Sequence, residues 1–225
     1  MLNGICDQCG NEYKRLWQHW ACNKKCTRPE PNQEHMEMLT GIVMGDGCVE
    51  RNDGTRNPCI NISMTNEDFL HWVAEKLGIF ARSVKLKKTA KEKAATSRKY
   101  GANPEAKEEN YNDEYVLRTC SHPSFDKLAK WYSSGKKQLP ENLNLTPLIT
   151  KMWYVCDGNL NDNGHISIGC ANEMQREEYL ISLFEEVGVS PVLSYHSLTF
   201  TQDDSRKLLN WMGRAPDGFE YKWGN

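Results

Sequence analysis

Two aspartates, Asp46 and Asp157, stand 111 residues apart, and each closes an apolar run and is followed by a glycine. The first run, 39–49, has Asp46 as its only charge; the second, 148–160, carries only Lys151 besides Asp157. Apolar residues surround the first run on all sides instead of forming one stripe, so its helix is expected to be buried on most sides. Gly41 and Gly45 lie four apart on one face of it, which lets a second helix approach at backbone distance. A carboxylate at the end of such a helix is disfavoured by desolvation and by the negative end of the helix dipole. A cation resolves that conflict. Two such helices side by side would place both acids together, and a pair of acids sharing divalent cations is what two-metal phosphodiester hydrolysis requires.

At these residues the chain resembles the LAGLIDADG homing endonucleases. The first motif reads Leu39-Thr40-Gly41-Ile42-Val43-Met44-Gly45-Asp46-Gly47; the second is more divergent, with Met152 and Cys156 where the first has Gly41 and Gly45. The context from Lys136 and Lys137 through Leu139-Pro140 and Trp153 to Asp157-Gly158 is similar to the single-chain, two-motif members. The resemblance covers about residues 36–225 and implies an α+β fold of two pseudo-twofold-related αββαββα half-domains. It also implies that Asp46 and Asp157 hold Mg2+, bind the scissile phosphates and position the attacking water. Lys137 falls where those enzymes carry a lysine in a basic pocket beside the scissile phosphates. The tail Tyr221-Lys222-Trp223 resembles the matching segment of the second half, which makes Lys222 its counterpart. These four are the candidate catalytic residues.

The first 30 residues lie outside that resemblance. Cys6-x2-Cys9, Tyr13, Leu16, His19, Cys22 and Cys26 resemble a shortened Cys2His2-type zinc finger. Cys6, Cys9 and His19 are three ligands; the fourth is Cys26 or Cys22, with the longer spacing favouring Cys26. Nine cysteines is an odd number, and four of them fall in the first 26 residues, a pattern that suits a metal site in a reducing compartment better than a disulfide framework. Lys14, Arg15, Lys24 and Lys25 could reach phosphates. The organisation expected is a zinc module over 1–30, a first half over 31–140 and a second over 141–225.

A net charge of −2 gives no global pull toward nucleic acid, so the distribution of charge has to supply it. Between Arg82 and Lys107 there are nine Lys or Arg and two Glu. The middle of this segment is poor in apolar residues and reads as a long, partly mobile excursion between two strands. The strands are expected at 48–51, 59–64, 82–88 and 113–121, with a turn at 52–55, and again at 165–171 and 192–201. Their outward polar residues, Asn61, Ser63, Arg82, Lys85, Lys87, Arg118 and Ser167, are candidates for contact with double-stranded DNA in the major groove. No apolar stretch has transmembrane length, and no signal peptide is evident, so an intracellular protein, cytoplasmic or organellar, is expected. An internal pseudo-dimer predicts a monomer. His71 and His122 are expected to be structural.

The function expected is site-specific double-strand cleavage of DNA at a long recognition site. An RNA-binding intron maturase, or a regulator that retains the fold without cutting, is the rival; loss of either acid would favour it, and both are present. A zinc-finger protein whose large domain only dimerises would leave the paired Asp-Gly ends unexplained.

Overall fold

The computed structural model describes residues 4–14, 16–22, 26–51 and 57–224. The expected turn at 52–55, and the cations Arg15, Lys24 and Lys25, lie outside them, as does the side chain of Cys22.

The N-terminal module is a two-residue-strand hairpin, β1 (Gly4–Ile5) and β2 (Glu12–Tyr13), followed by α1 (Leu16–Cys22). Its small core is Cys6, Leu16, Trp20 and Cys26, against which Ile79 of the next domain also packs. So small an apolar core contributes little stability by itself.

The first motif helix, α2 (Gln33–Met44), starts six residues ahead of the apolar run. Asn32 sets that start: its side chain accepts from the His35 amide at 2.8 Å while His35 Nδ1 accepts from the Asn32 amide. Then come β3 (Cys48–Glu50), β4 (Cys59–Met64) and α3 (Glu67–Leu77), capped by Asn66. Next are β5 (Lys85–Lys88), α4 (Ala90–Lys99), β6 (Glu114–Arg118) and the short α5 (Asp126–Ala129), which is flanked by 3-10 turns. The second half repeats the order: α6 (Pro147–Asp157), β7 (Gly158–Leu160), β8 (Ile166–Gly169), α7 (Glu177–Glu185), β9 (Val192–Ser194), β10 (Ser197–Thr199) and α8 (Gln202–Met212).

Both sheets are four-stranded and antiparallel, with the orders β3-β4-β6-β5 and β7-β8-β10-β9, the same topology twice. Their inner faces carry Ile60, Ile62 and Leu117 in the first and Ile166, Ile168 and Leu198 in the second, all fully buried. Alternation then turns Asn61, Ser63, Arg118 and Ser167 to the opposite faces.

One expectation fails clearly. Residues 90–99 form the helix α4 instead of a mobile excursion. Thr89 and Glu92 make a reciprocal capping box, with the Thr89 amide donating to Glu92 at 2.8 Å, and the Ala90 amide donates to Asp113 at 2.7 Å. Ala94 and Ala106 are buried, and Arg98 donates to the Ala106 carbonyl. High charge hid a run of alanine, lysine and glutamate, all strong helix formers.

The motif helices meet through glycine. A Cβ built on Gly41 would lie 2.2 Å from the Ile149 carbonyl oxygen and 2.7 Å from Met152 Cβ, and one on Gly45 would lie 2.3 Å from Cys156 Cβ. The second motif can therefore carry Met152 and Cys156, because they occupy the notches that the first motif's glycines leave. Among the described residues, no helix is long and apolar enough to cross a membrane.

Candidate active site

Asp46 follows α2 by two residues, and Asp157 is the last residue of α6. Glycine-to-side-chain packing brings these ends together: a methyl group on Gly45 would stand 3.5 Å from Asp157 Cγ. Both acids face open solvent, yet the surrounding protein raises each carboxyl above its ordinary range. For Asp46 the cause is burial, with Lys137 and Lys222 opposing it. For Asp157 burial and then the neighbouring Asp46 push it up to about 6, again against the two lysines. Two carboxylates raised by their surroundings, Asp157 in part by Asp46 itself, form a site that a divalent cation would relieve.

The two lysines sit behind the acids as helix caps. Lys137 Nζ donates to the carbonyls of Val43, Met44 and Gly45 at 3.0, 2.8 and 2.8 Å. Lys222 Nζ donates to Val155 at 2.8 Å and Gly158 at 2.7 Å, with Tyr154 O at 3.5 Å. Each ammonium thus satisfies carbonyls that a helix end leaves unpaired and places positive charge at the negative end of the dipole. Burial lowers the proton affinity of both lysines, and the nearby acids counter it.

The acids and lysines are divided between two cavities. A cavity of about 310 Å³ is lined by Lys137, Asp157 and Glu173 among others, whereas Asp46, Cys156 and Lys222 line a second of about 640 Å³. Beside them the first sheet opens into a groove of about 1770 Å³ lined by Asp46, Asn61, Ser63, Arg82, Lys85, Lys87 and Arg118, together with Gln18 and Arg28. Ser167 is on the outer face of the second sheet, in register with Asn159 and Thr199. Several of these groups are held in place. Lys87 donates to Ser63 at 3.1 Å and Glu114 at 2.7 Å, and Arg118 reaches Glu50 at 3.1 Å and lies over Cys59.

In this arrangement one helix pair presents two acids, one of which lines a basic groove, and it has known counterparts. The family model described as the LAGLIDADG DNA endonuclease family matches residues 36–196. The chain belongs to that family. Among solved structures, the LAGLIDADG chain is similar to the homing endonuclease I-WcaI bound to its DNA recognition sequence, at 14% identity and a TM-score of 0.70, covering 87% of this chain and 88% of that one. It is also similar to mesophilic variants of the homing endonuclease I-DmoI, at 13% identity and a TM-score of 0.50, covering 85% and 98%. No curated protein sequence matches it.

The N-terminal donors converge as well. The ligand atoms of Cys6, Cys9, His19 and Cys26 lie within 4.8 Å of one another. Tyr13 stacks on the His19 ring at 3.8 Å and fixes its orientation. Burial opposes the Cys6 thiolate, but the amides of Gln8 and Cys9 and the side chains of His19 and Trp20 bring it down to about 6. Burial, then hydrogen bonds and charge from Cys6 and Cys9, push Cys26 up to about 11. A full set of thiolates at this spacing needs a cation, and soft sulfur with one imidazole suits Zn2+. The module is anchored to the first half by Ile79, by Arg28 donating to Ser121 O at 2.7 Å, and by His122 donating to Pro29 O at 3.1 Å. His122 also caps the turn after it by accepting from the Ser124 amide, which makes it a structural residue; His71 is an exposed neighbour of Glu67.

Sequence reasoning missed Glu173 and Arg176. Glu173 is buried, and it binds backbone 34 residues away, which no local pattern signals.

Proposed function

We propose that this chain is a site-specific endonuclease that cuts both strands of DNA with divalent metal. The observation that carries the reading is the convergence of Asp46 and Asp157 at one glycine-packed helix junction in a LAGLIDADG chain. Their hard oxygen donors suit Mg2+, which when bound supplies Lewis acidity and an activated water. The chain's own residues do the rest. Asp46 and Asp157 fix where the scissile phosphates sit. Lys137 and Lys222 keep positive charge against the site, which offsets the negative charge growing on the phosphate oxygens. The two sheets would lie along the major groove, with Asn61, Ser63, Arg118 and Ser167 facing base edges and Arg82, Lys85 and Lys87 facing phosphates. The zinc module, with Cys26 as its fourth ligand, would continue the groove beyond β5 through Gln18 and Arg28. One chain supplies both halves, so it acts as a monomer.

The test is incubation with the element-free allele of the protein's own locus, in Mg2+ and in EDTA. A double-strand break at one position, formed only in Mg2+, is the expected result. Tight, salt-sensitive binding with no cutting in any divalent metal would favour a maturase or a regulator instead. For the zinc module, Cys26→Ser should release the roughly one zinc ion per chain that wild type binds, whereas retention of that zinc would return the fourth position to Cys22.

A further inference from the structure

The two capping lysines sit on equivalent segments that are braced very differently. The Lys222 segment meets the first half through Asn66, whose exposed side-chain amide lies 3.4 Å from the Gly218 carbonyl, and through a ring contact between Phe69 and Phe219. The Lys137 segment meets the 3-10 turn Ala171–Arg176, which leads into α7, the element that corresponds to α3, through a buried charged clamp. Glu173 accepts from the Leu139 amide at 2.6 Å, and Arg176 donates to the Leu139 carbonyl at 2.6 Å. Arg176 also binds Glu173 at 3.0 Å and lies 4.1 Å from the Tyr179 ring, whose hydroxyl donates to Pro140 O. Both backbone polar groups of a residue two positions from Lys137 are therefore bonded to side chains of the second half.

The Glu173 side chain is 6% exposed. A buried carboxylate is retained at a cost, and one that grips backbone gives a fixed position in return. It also lines the 310 Å³ cavity with Lys137 and Asp157, and Trp153, another lining residue, has a buried indole N–H without a partner among the described residues.

We propose that Glu173 is a positioning residue for Lys137: through Leu139 it ties that lysine to the second half, so the Asp157–Lys137 centre depends on a buried ionic clamp, whereas the Lys222 carbonyl is held by the neutral Tyr154 hydroxyl at 2.7 Å. The proposal rests on the endonuclease reading for its consequence, which is that the two strands of the target are cut by centres of unequal sensitivity.

The experiment is strand-resolved cleavage with both ends labelled, using Glu173→Gln, Arg176→Lys, Lys137→Arg and Lys222→Arg. Gln keeps an acceptor for the Leu139 amide, Lys keeps the charge at position 176, and Arg keeps the charge at each lysine position. Glu173→Gln and Arg176→Lys should slow one strand about tenfold relative to the other, less than the roughly hundredfold that a 1 Å misplacement can cost. It should be the same strand that Lys137→Arg slows. Ser205→Ala, which removes a buried hydroxyl bound to the Ile166 amide elsewhere in the second half, should leave the strand ratio unchanged. Equal slowing of both strands by Glu173→Gln, or slowing of the strand that Lys222→Arg affects, would overturn the proposal. If wild type cuts no DNA, the endonuclease reading fails separately. A denaturation cycle on Glu173→Gln and Lys137→Arg then decides: non-additive effects support the positioning role, and additive ones reject it.

Discussion

The two halves of this molecule share a topology and differ in nearly everything laid over it. In the first sheet, Arg118, Lys85 and Lys87 project from the outer face beside Asn61 and Ser63. The second sheet offers Asn159, Ser167, Ser197 and Thr199 on its outer face, with Val192 and Ser194 at the edge, and no cation. Between β5 and β6 the first half inserts the basic helix α4; between β9 and β10 the second has a tight turn, with Tyr195 at φ 53°. One half thus supplies the electrostatic attraction to a polyanion and the other supplies neutral hydrogen-bonding groups. At the junction the difference reverses in kind: there the first half contributes glycine and the second contributes bulk. Duplicated halves can diverge in sequence wherever one protrudes into the other's notch.

That comparison breaks most easily at the notch. Gly41→Ala or Gly45→Ala should destabilise the protein by about 3 kcal/mol, because the added methyl meets backbone and Cβ atoms that cannot swing away. Met152→Ala should cost a similar amount, in the range of about 2–5 kcal/mol, for the opposite reason, a cavity. Chemical denaturation measures both. If Gly41→Ala were partly rescued by Met152→Ala, the notch would be confirmed as one packing unit.

A smaller effect separates the two acids. Asp157 is raised to about 6, above its unfolded value, so between about pH 4 and 6 the native state binds more protons than the unfolded state. By linkage the metal-free protein loses stability as pH rises through that window. Asp157→Asn should therefore stabilise the protein in EDTA at pH 7, by on the order of 1 kcal/mol once solvent screening of this exposed group is allowed for. The gain should shrink toward pH 4. Thermal melts across that range would check it, and a variant less stable than wild type at pH 7 would contradict it.

The electrostatic contrast between the sheets should be visible in salt. Lys85→Ala should lower DNA affinity across sequences and reduce the log–log salt slope by about 1, the signature of one lost phosphate contact. Ser167→Ala should leave the slope unchanged and alter the preference among related targets. Equal slopes for the two variants would remove the division of labour.

Much of this was readable from residue type and spacing. Gly41, Gly45 and the two Asp-Gly pairs carry a packing requirement and a charge conflict that can be stated without coordinates. The alternation around Ile60-Asn61-Ile62-Ser63 and Ile166-Ser167-Ile168 shows which side chains face the core. The helix α4 was obscured because charge was counted where capping and alanine content decide the structure. The roles of Lys137 and Lys222 as caps were beyond reach, since each ammonium binds carbonyls more than 60 residues away in the chain. The same holds for Glu173, whose partner is a backbone amide of the other half.

The most direct test of the shared tip is to measure cleavage and binding side by side for wild type, Asp46→Asn and Asp157→Asn on the same DNA. The account predicts that each variant loses double-strand cutting by about a thousandfold or more, the scale of removing a group that acts in the transition state, while DNA affinity changes little. Retained double-strand cutting in both variants would contradict it.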